Sequence, residues 1–464
     1  MHLSFTIDKS ETEMYLCSMN VVKLDDFRSH TTPLASVVRV GDFNQQFAHY
    51  VSQNLLPGRR AVVDAYNVTK QSDLINELRA SGFELTLDTR AAELACAFKW
   101  KGQARKAEWL EREPNGALNS TDFNERMAAK IAELAVEGGF HSVLAPSRYV
   151  SESLAIKILE QDHDFLMLLR SALDAAGGKR VRIASNFIGR LSLLGQDAIS
   201  DRLIDLHRKT PAESMWMRLH GLKRDPGPTR IRTTARRLER LKQTGLPLVL
   251  DYAVGLEPLT LAALGVARGL SFGALASDQV SDATWVGPSK SLDNSVASEG
   301  RQQFARVPGL GRNFSHAELQ LMSEATKGKR LLFDPANTGI GSFDEFKKRA
   351  RETAIRESVE AISRLSKVPD SRRTHHIRTT HLDQNARKAR QLANLDVDYD
   401  RAAELKVRSP ETLPKRLNDY ASSLDKTGQV LEKMAGDASI RLTKPIALVR
   451  PDALNKGSKG SRKT

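Results

Sequence analysis

A series of short apolar runs in this chain ends in polar residues, and those end residues are the ones that could do chemistry. Asp64 closes AVVD, Asp88 closes ELTLD and Asp251 closes LVLD. A carboxylate at the end of a buried strand can serve as general base or nucleophile, so Asp88, Asp64 and Asp251 form the candidate catalytic set. Asp88 is the first choice, because Thr89 and Arg90 follow it directly. The competing role for each is to cap the following helix through a side-chain oxygen. Arg148, Asn186, Arg218, His220 and Tyr252 occupy equivalent ends of other runs and form the candidate substrate-binding set. An arginine leaving a buried strand needs an anionic partner, which makes Arg148 and Arg218 the expected anion contacts. His220, with Arg218 and Lys223, adds a cationic corner.

Metal and cofactor chemistry find no such support. Neither HExxH nor HxH occurs near these ends, and the two cysteines, Cys17 and Cys96, have no paired spacing. No GxGxxG follows the first run and no Walker sequence is present, so neither a metal nor a cofactor is expected. His375, His376 and His381 stand in an arginine-rich stretch that reads as a solvated basic face.

Two other segments have the chemistry of nucleic-acid contact. Lys99, Lys101, Arg105 and Lys106 are interleaved with Trp100 and Trp109 in a long connection, a pattern suited to phosphates and base stacking. Arg236 and Arg237 lie in RIRTTARRLERLKQTG, a strongly basic amphipathic helix.

The elements that must position these residues follow a β/α rhythm. Strands are expected at 61–67, 83–89, 141–150 (with its loop), 181–189, 213–225 (with a polar end), 247–251 and 270–274, with amphipathic segments between them. LPLVLDYAVGLEPLTLAALGVARGLSFGALA, at 246–276, contains one complete strand, turn, helix and strand. Seven buried strands alternating with helices predict a parallel sheet, and the fold class is a TIM-like (β/α)8 barrel. The eighth strand is expected at 329–334 (KRLLFD) or 282–286. The expected organisation is an N-terminal extension over 1–58, the barrel over 59–338, a helical basic domain over 339–440 and a flexible basic tail over 441–464. Ser342, followed three residues later by Glu345, predicts a capping box at the start of the helical domain.

The chain has 464 residues, with 70 Lys and Arg against 56 Asp and Glu, a formal charge of +14. Residues 401–464 hold fourteen basic and seven acidic residues and so supply half of that surplus. Such a balance favours polyanionic partners, DNA or RNA, with a partner protein as the alternative. No run approaches eighteen apolar residues and the N-terminus lacks a signal-peptide pattern, so a cytoplasmic protein without a membrane span is expected.

LTLDTRAAELA (85–95), MWMRLHGL (215–222) and LPLVLDYAVGLEPLTLAALGVARGLSFGAL (246–275) follow one another in an order that resembles the barrel of the tRNA-guanine transglycosylases. That family exchanges a base in nucleic acid through a nucleophilic aspartate. The resemblance implies a barrel and a nucleic-acid substrate, with Asp88 at one of the family's acidic positions. The family's nucleophile would fall near Gly273, which has no side chain, and its cysteine-rich zinc site has no counterpart in RLLFDPANTGIGSFDEF (330–346). The implication is therefore a transglycosylase-like fold without the same reaction. Three functions follow: a nucleic-acid-associated barrel within a bacterial multi-protein system, a lyase or isomerase acting on an anionic small molecule, or a non-catalytic scaffold for a partner protein.

Overall fold

The computed structural model describes residues 31–42, 44–56, 58–92, 121–273, 280 and 304–436. Eight parallel strands close into a barrel: β1 (Ala35–Arg39), β2 (Arg60–Asp64), β3 (Glu84–Asp88), β4 (Ser142–Leu144), β6 (Arg182–Arg190), β7 (Ser214–His220), β8 (Leu248–Asp251) and β9 (Gly269–Gly273). β1 pairs with both β2 and β9, and β4 pairs with β6 to complete the ring. The two-residue strand β5 (Tyr149–Val150) lies along the upper part of β6. Nearly every strand residue is buried, because one face looks into the lumen and the other lies under helices.

The closing strand is not where the sequence rhythm predicts it. KRLLFD forms the helix Gly328–Phe333, while 282–286 lies outside the described residues. The eighth strand is ASVVR, taken from the stretch read as an N-terminal extension. A three-residue apolar run flanked by charges satisfies either period, and here the helical one prevails.

Helices α1 (Asn44–Ser52), α2 (Ser72–Ala80), α3 (Thr121–Glu137), α4 (Ala155–Ala175), α5 (Asp197–His207), α6 (Pro228–Arg240) and α7 (Leu256–Ala263) cover the barrel. Gly82 ends α2 as expected, at φ +74° with Phe83 N donating to Leu78 O. α7 begins where Gly255, at φ +107°, passes so close to the Arg224 carbonyl that a Cβ would lie 2.6 Å from it.

Beyond the barrel come a short hairpin, β10 (Phe304–Arg306) with β11 (Asn313–Ser315), and the helices α8 (His316–Glu324), α9 (Gly328–Phe333), α10 (Pro335–Thr338), α11 (Phe343–Lys367), α12 (Arg373–Ile377), α13 (Asp383–Ala393), α14 (Tyr399–Glu404) and α15 (Leu413–Gly436). The full capping box belongs to Ser315 and Glu318 on α8. At α11, Ser342 does accept from Glu345 N, but the Glu345 carboxylate reaches back to Gly341 N. The helical region shares one hydrophobic core with the barrel. Polar contacts tie the two together: Thr32 N donates to Asp370 at 3.0 Å, and Leu34 N to Ser366 Oγ at 2.9 Å.

His376 and His381 do not form the solvated face expected of them. A π-helical turn at Arg378–Leu382 follows α12 and sets the two rings 6.2 Å apart, with His376 Nε2 buried. Burial first, and then His376, Arg364 and Arg306, push His381 down to about 4.

Among the described residues, no helix is long and apolar enough to cross a membrane.

Candidate functional site

Alternation along the strands decides which side chains fill the lumen. Its middle is apolar, built from Ala35, Val37, Val62, Leu144, Ala184, Trp216 and Val249. The next inward positions toward the carboxyl ends are Arg39, Asp64, Asp88, Arg218 and Asp251, all buried. Register partners face the same side, and Asp64 pairs with Asp88 as Arg218 does with Asp251. The three predicted catalytic aspartates, Arg218 and Tyr252 are thus brought together at the face where β/α barrels carry their sites.

Arg39 organises this layer. Its Nε and Nη2 grip Asp251 in a fork, both at 2.8 Å, while its Nη1 lies 2.7 Å from Asp88 and 3.4 Å from Asp64. Arg218 spans the same two carboxylates, donating to Asp88 at 2.8 Å and to Asp251 at 3.0 Å. Arg90 lies 3.8 Å from Asp64, and its backbone N–H donates to Asp88 Oδ1 at 2.9 Å. Tyr66 OH donates to Asp64 at 3.0 Å. Three arginines and three aspartates therefore cancel one another. Tyr252 covers them, its ring centroid 4.5 Å from the Arg39 guanidinium carbon and 5.0 Å from that of Arg218.

This balance fixes the protonation of the site. Burial alone would raise the Asp88 carboxyl, but Arg39, Arg218 and Arg90 outweigh it and hold Asp88 well below the usual carboxylate range. Asp251 is lowered in the same way, by Arg39 and Arg218 against burial. Neither can donate a proton near neutrality. Their oxygens are already bonded to guanidinium groups, which also leaves them poor nucleophiles. Among the described residues, no group of three His, Cys, Asp or Glu is placed to hold a metal ion.

Arg90 and Tyr252 both sit in the left-handed region, at φ +54° and +52°, and join through a 2.6 Å bond from Arg90 Nη1 to Tyr252 OH. Side-chain-bearing residues rarely adopt that conformation, and holding one there costs on the order of 1–3 kcal/mol. The hydrogen bond, not the strain, joins the residues that follow β3 and β8.

The other predicted residues divide. Asn186 pairs in register with Trp216 and faces the lumen, its buried Oδ1 without a hydrogen bond. His220 is half-buried at the end of β7, with Nδ1 3.3 Å from Val280 O. Arg148 is not at the mouth cluster but is bound to α4, where its Nε donates to Asp162 at 2.9 Å and its Nη1 to Gln161 at 2.7 Å. Its anionic partner is thus internal. Burial keeps Asp162 up at about 6 even against Arg148. Arg236 is exposed on α6, while Arg237 is partly covered over Gly195. Lys99, Lys101, Arg105 and Lys106 lie outside the described residues.

Arg39 is the residue that sequence reasoning missed. Its signal was an arginine closing a valine-rich run, the same signal that marked Arg218.

No family model matches the chain, and no curated protein does. Similar solved structures include native xylanase 10B from Thermotoga maritima, at 11% identity over 52% of this chain and 83% of that one, with a TM-score of 0.34. The Penicillium canescens endo-1,4-beta-xylanase XylE is 10% identical over 57% and 90%, with a TM-score of 0.38. The xylanase from Bispora sp. MEY-1 is 7% identical over 52% and 83%, with a TM-score of 0.36. The resemblance to tRNA-guanine transglycosylases is corrected by this outcome, since these similar structures are xylanases and no family model supports it.

Proposed function

We propose that this chain is a nucleic-acid-associated β/α barrel in which the polar mouth is a structural clasp and contact is made by basic outer elements. The single observation that carries the reading is the neutrality of the mouth cluster: Arg39, Arg90 and Arg218 are matched by Asp64, Asp88 and Asp251, so among the described residues this cluster uses none of the +14 surplus. A net cationic protein attracts polyanions through whatever charges remain outward. Helix α6 supplies such charges. It contains five arginines and one glutamate, and its inward members are engaged: Arg230 with Glu257 at 2.7 Å, and Arg240 with Asp197 and Asp201. Arg232 and Arg236 are exposed one turn apart and have no ion pair among the described residues. Like charges at that spacing disfavour the helix slightly, so helix stability does not account for them.

The test is fluorescence anisotropy with labelled single-stranded RNA and duplex DNA. Arg232→Glu with Arg236→Glu is expected to weaken binding about tenfold or more, through loss and reversal of phosphate contacts. Arg39→Met, while folded, is expected to bind like the parent. The opposite pattern would overturn the reading.

A second reading, an anionic small molecule at the mouth, is favoured by one observation, the strained pair Arg90 and Tyr252. It predicts that calorimetry detects binding of small phosphorylated compounds, and that Tyr252→Phe abolishes it without unfolding the chain.

A further inference from the structure

At the amino end of the lumen, Arg60 and Arg182 stand around the largely covered carboxylate of Glu84. Arg60 Nε donates to Glu84 Oε2 at 3.0 Å, and Arg182 donates to Glu84 Oε1. The next carboxylate, Glu213, stands 4.0 Å from Arg182, with its side chain 56% exposed. Arg60 itself is 8% exposed, and among the described residues only its Nε has a hydrogen bond. Its terminal nitrogens therefore retain donors with no partner described. Those nitrogens are not sealed off, so water or an anion can meet them.

A cavity of ≈ 50 Å³ adjoins these groups, lined among others by Arg60, Arg182, Glu84, Glu213, Ser142 and Trp216. About 10–15 Å³ of such space holds one water, so the volume suits a few waters or one small oxyanion. Thr86 and Ser142 hydroxyls are bonded to each other at 2.7 Å on the same wall. Hydroxyls beside a forked cation form a donor set suited to oxyanion recognition.

We infer that the amino end of the lumen is a binding site for a small oxyanion of phosphate type, held by Arg60 and Arg182 beneath Trp216. This site is independent of nucleic-acid contact on the outer surface. It lies opposite the polar mouth, across the apolar middle of the barrel.

The experiment is thermal unfolding of the full chain titrated with inorganic phosphate at constant ionic strength, chloride replacing phosphate. A saturable rise in unfolding temperature is expected, with Arg60→Met weakening the apparent affinity about tenfold or more. Glu84→Gln removes the competing carboxylate and is expected to tighten it. Crystals soaked in selenate give a readout that does not depend on a variant folding: an anomalous peak between Arg60 and Trp216 supports the site. A phosphate response no larger than that of chloride, or no peak at that position, overturns it.

Discussion

Replacing Arg39 with methionine tests the clasp most severely, because this one side chain meets all three aspartates at 2.7–3.4 Å. Removing one partner of a buried ion pair costs about 3–5 kcal/mol, as the remaining charge is left without compensation. Arg218 still reaches Asp88 and Asp251, so the loss should fall near the lower end, about 3 kcal/mol. For a large domain that corresponds to roughly 6–12 °C in the unfolding midpoint. Urea unfolding followed by circular dichroism would measure it, with the midpoint shifted and the slope unchanged. The double variant Arg39→Met with Asp251→Leu removes both forked partners and should be less destabilised than the sum of the two single changes. A loss below about 1 kcal/mol, or strict additivity in the double variant, would refute the claim that these charges depend on one another.

Other consequences can be measured on the same footing. Burial holds Glu257 up at about 7 despite its 2.7 Å bond to Arg230. The folded state therefore binds this proton more tightly than the unfolded one, so stability should fall as pH rises from about 4.5 to 7 and level off above. Asp162, raised to about 6, acts in the same direction over the lower part of that window. Glu257→Gln should flatten the decline, and an unchanged pH profile would contradict the assignment. Gly255→Ala places a Cβ 2.6 Å from the Arg224 carbonyl at φ +107°, so a loss of about 2 kcal/mol or more is expected in denaturant unfolding. Arg148→Met should reduce stability without changing ligand or nucleic-acid binding, since its partner is Asp162; a binding defect in a stable variant would restore it to the site.

Much of the barrel was legible because its strands are buried on both faces and read as continuous apolar runs, with Asp64, Asp88, Arg218 and Asp251 marking their ends. Their convergence shows only once the ring closes and register partners face the same side. What the chain did not announce was their neutralisation, which depends on Arg39. ASVVR stands before the regular β/α rhythm begins, and only the closure of the ring shows that it is a barrel strand. KRLLFD misled for the converse reason, three apolar residues being too few to separate strand from helix. Arg148 was placed at the mouth because nothing local shows that Asp162, fourteen positions later, turns back to bind it.

The salt dependence of nucleic-acid binding tests the central claim most directly. With labelled RNA or duplex DNA, the account predicts measurable binding at low salt and a linear fall of log K with log salt, the slope steeper than about −2 from several phosphate contacts. Absence of binding at low salt, or an affinity indifferent to ionic strength, would contradict it.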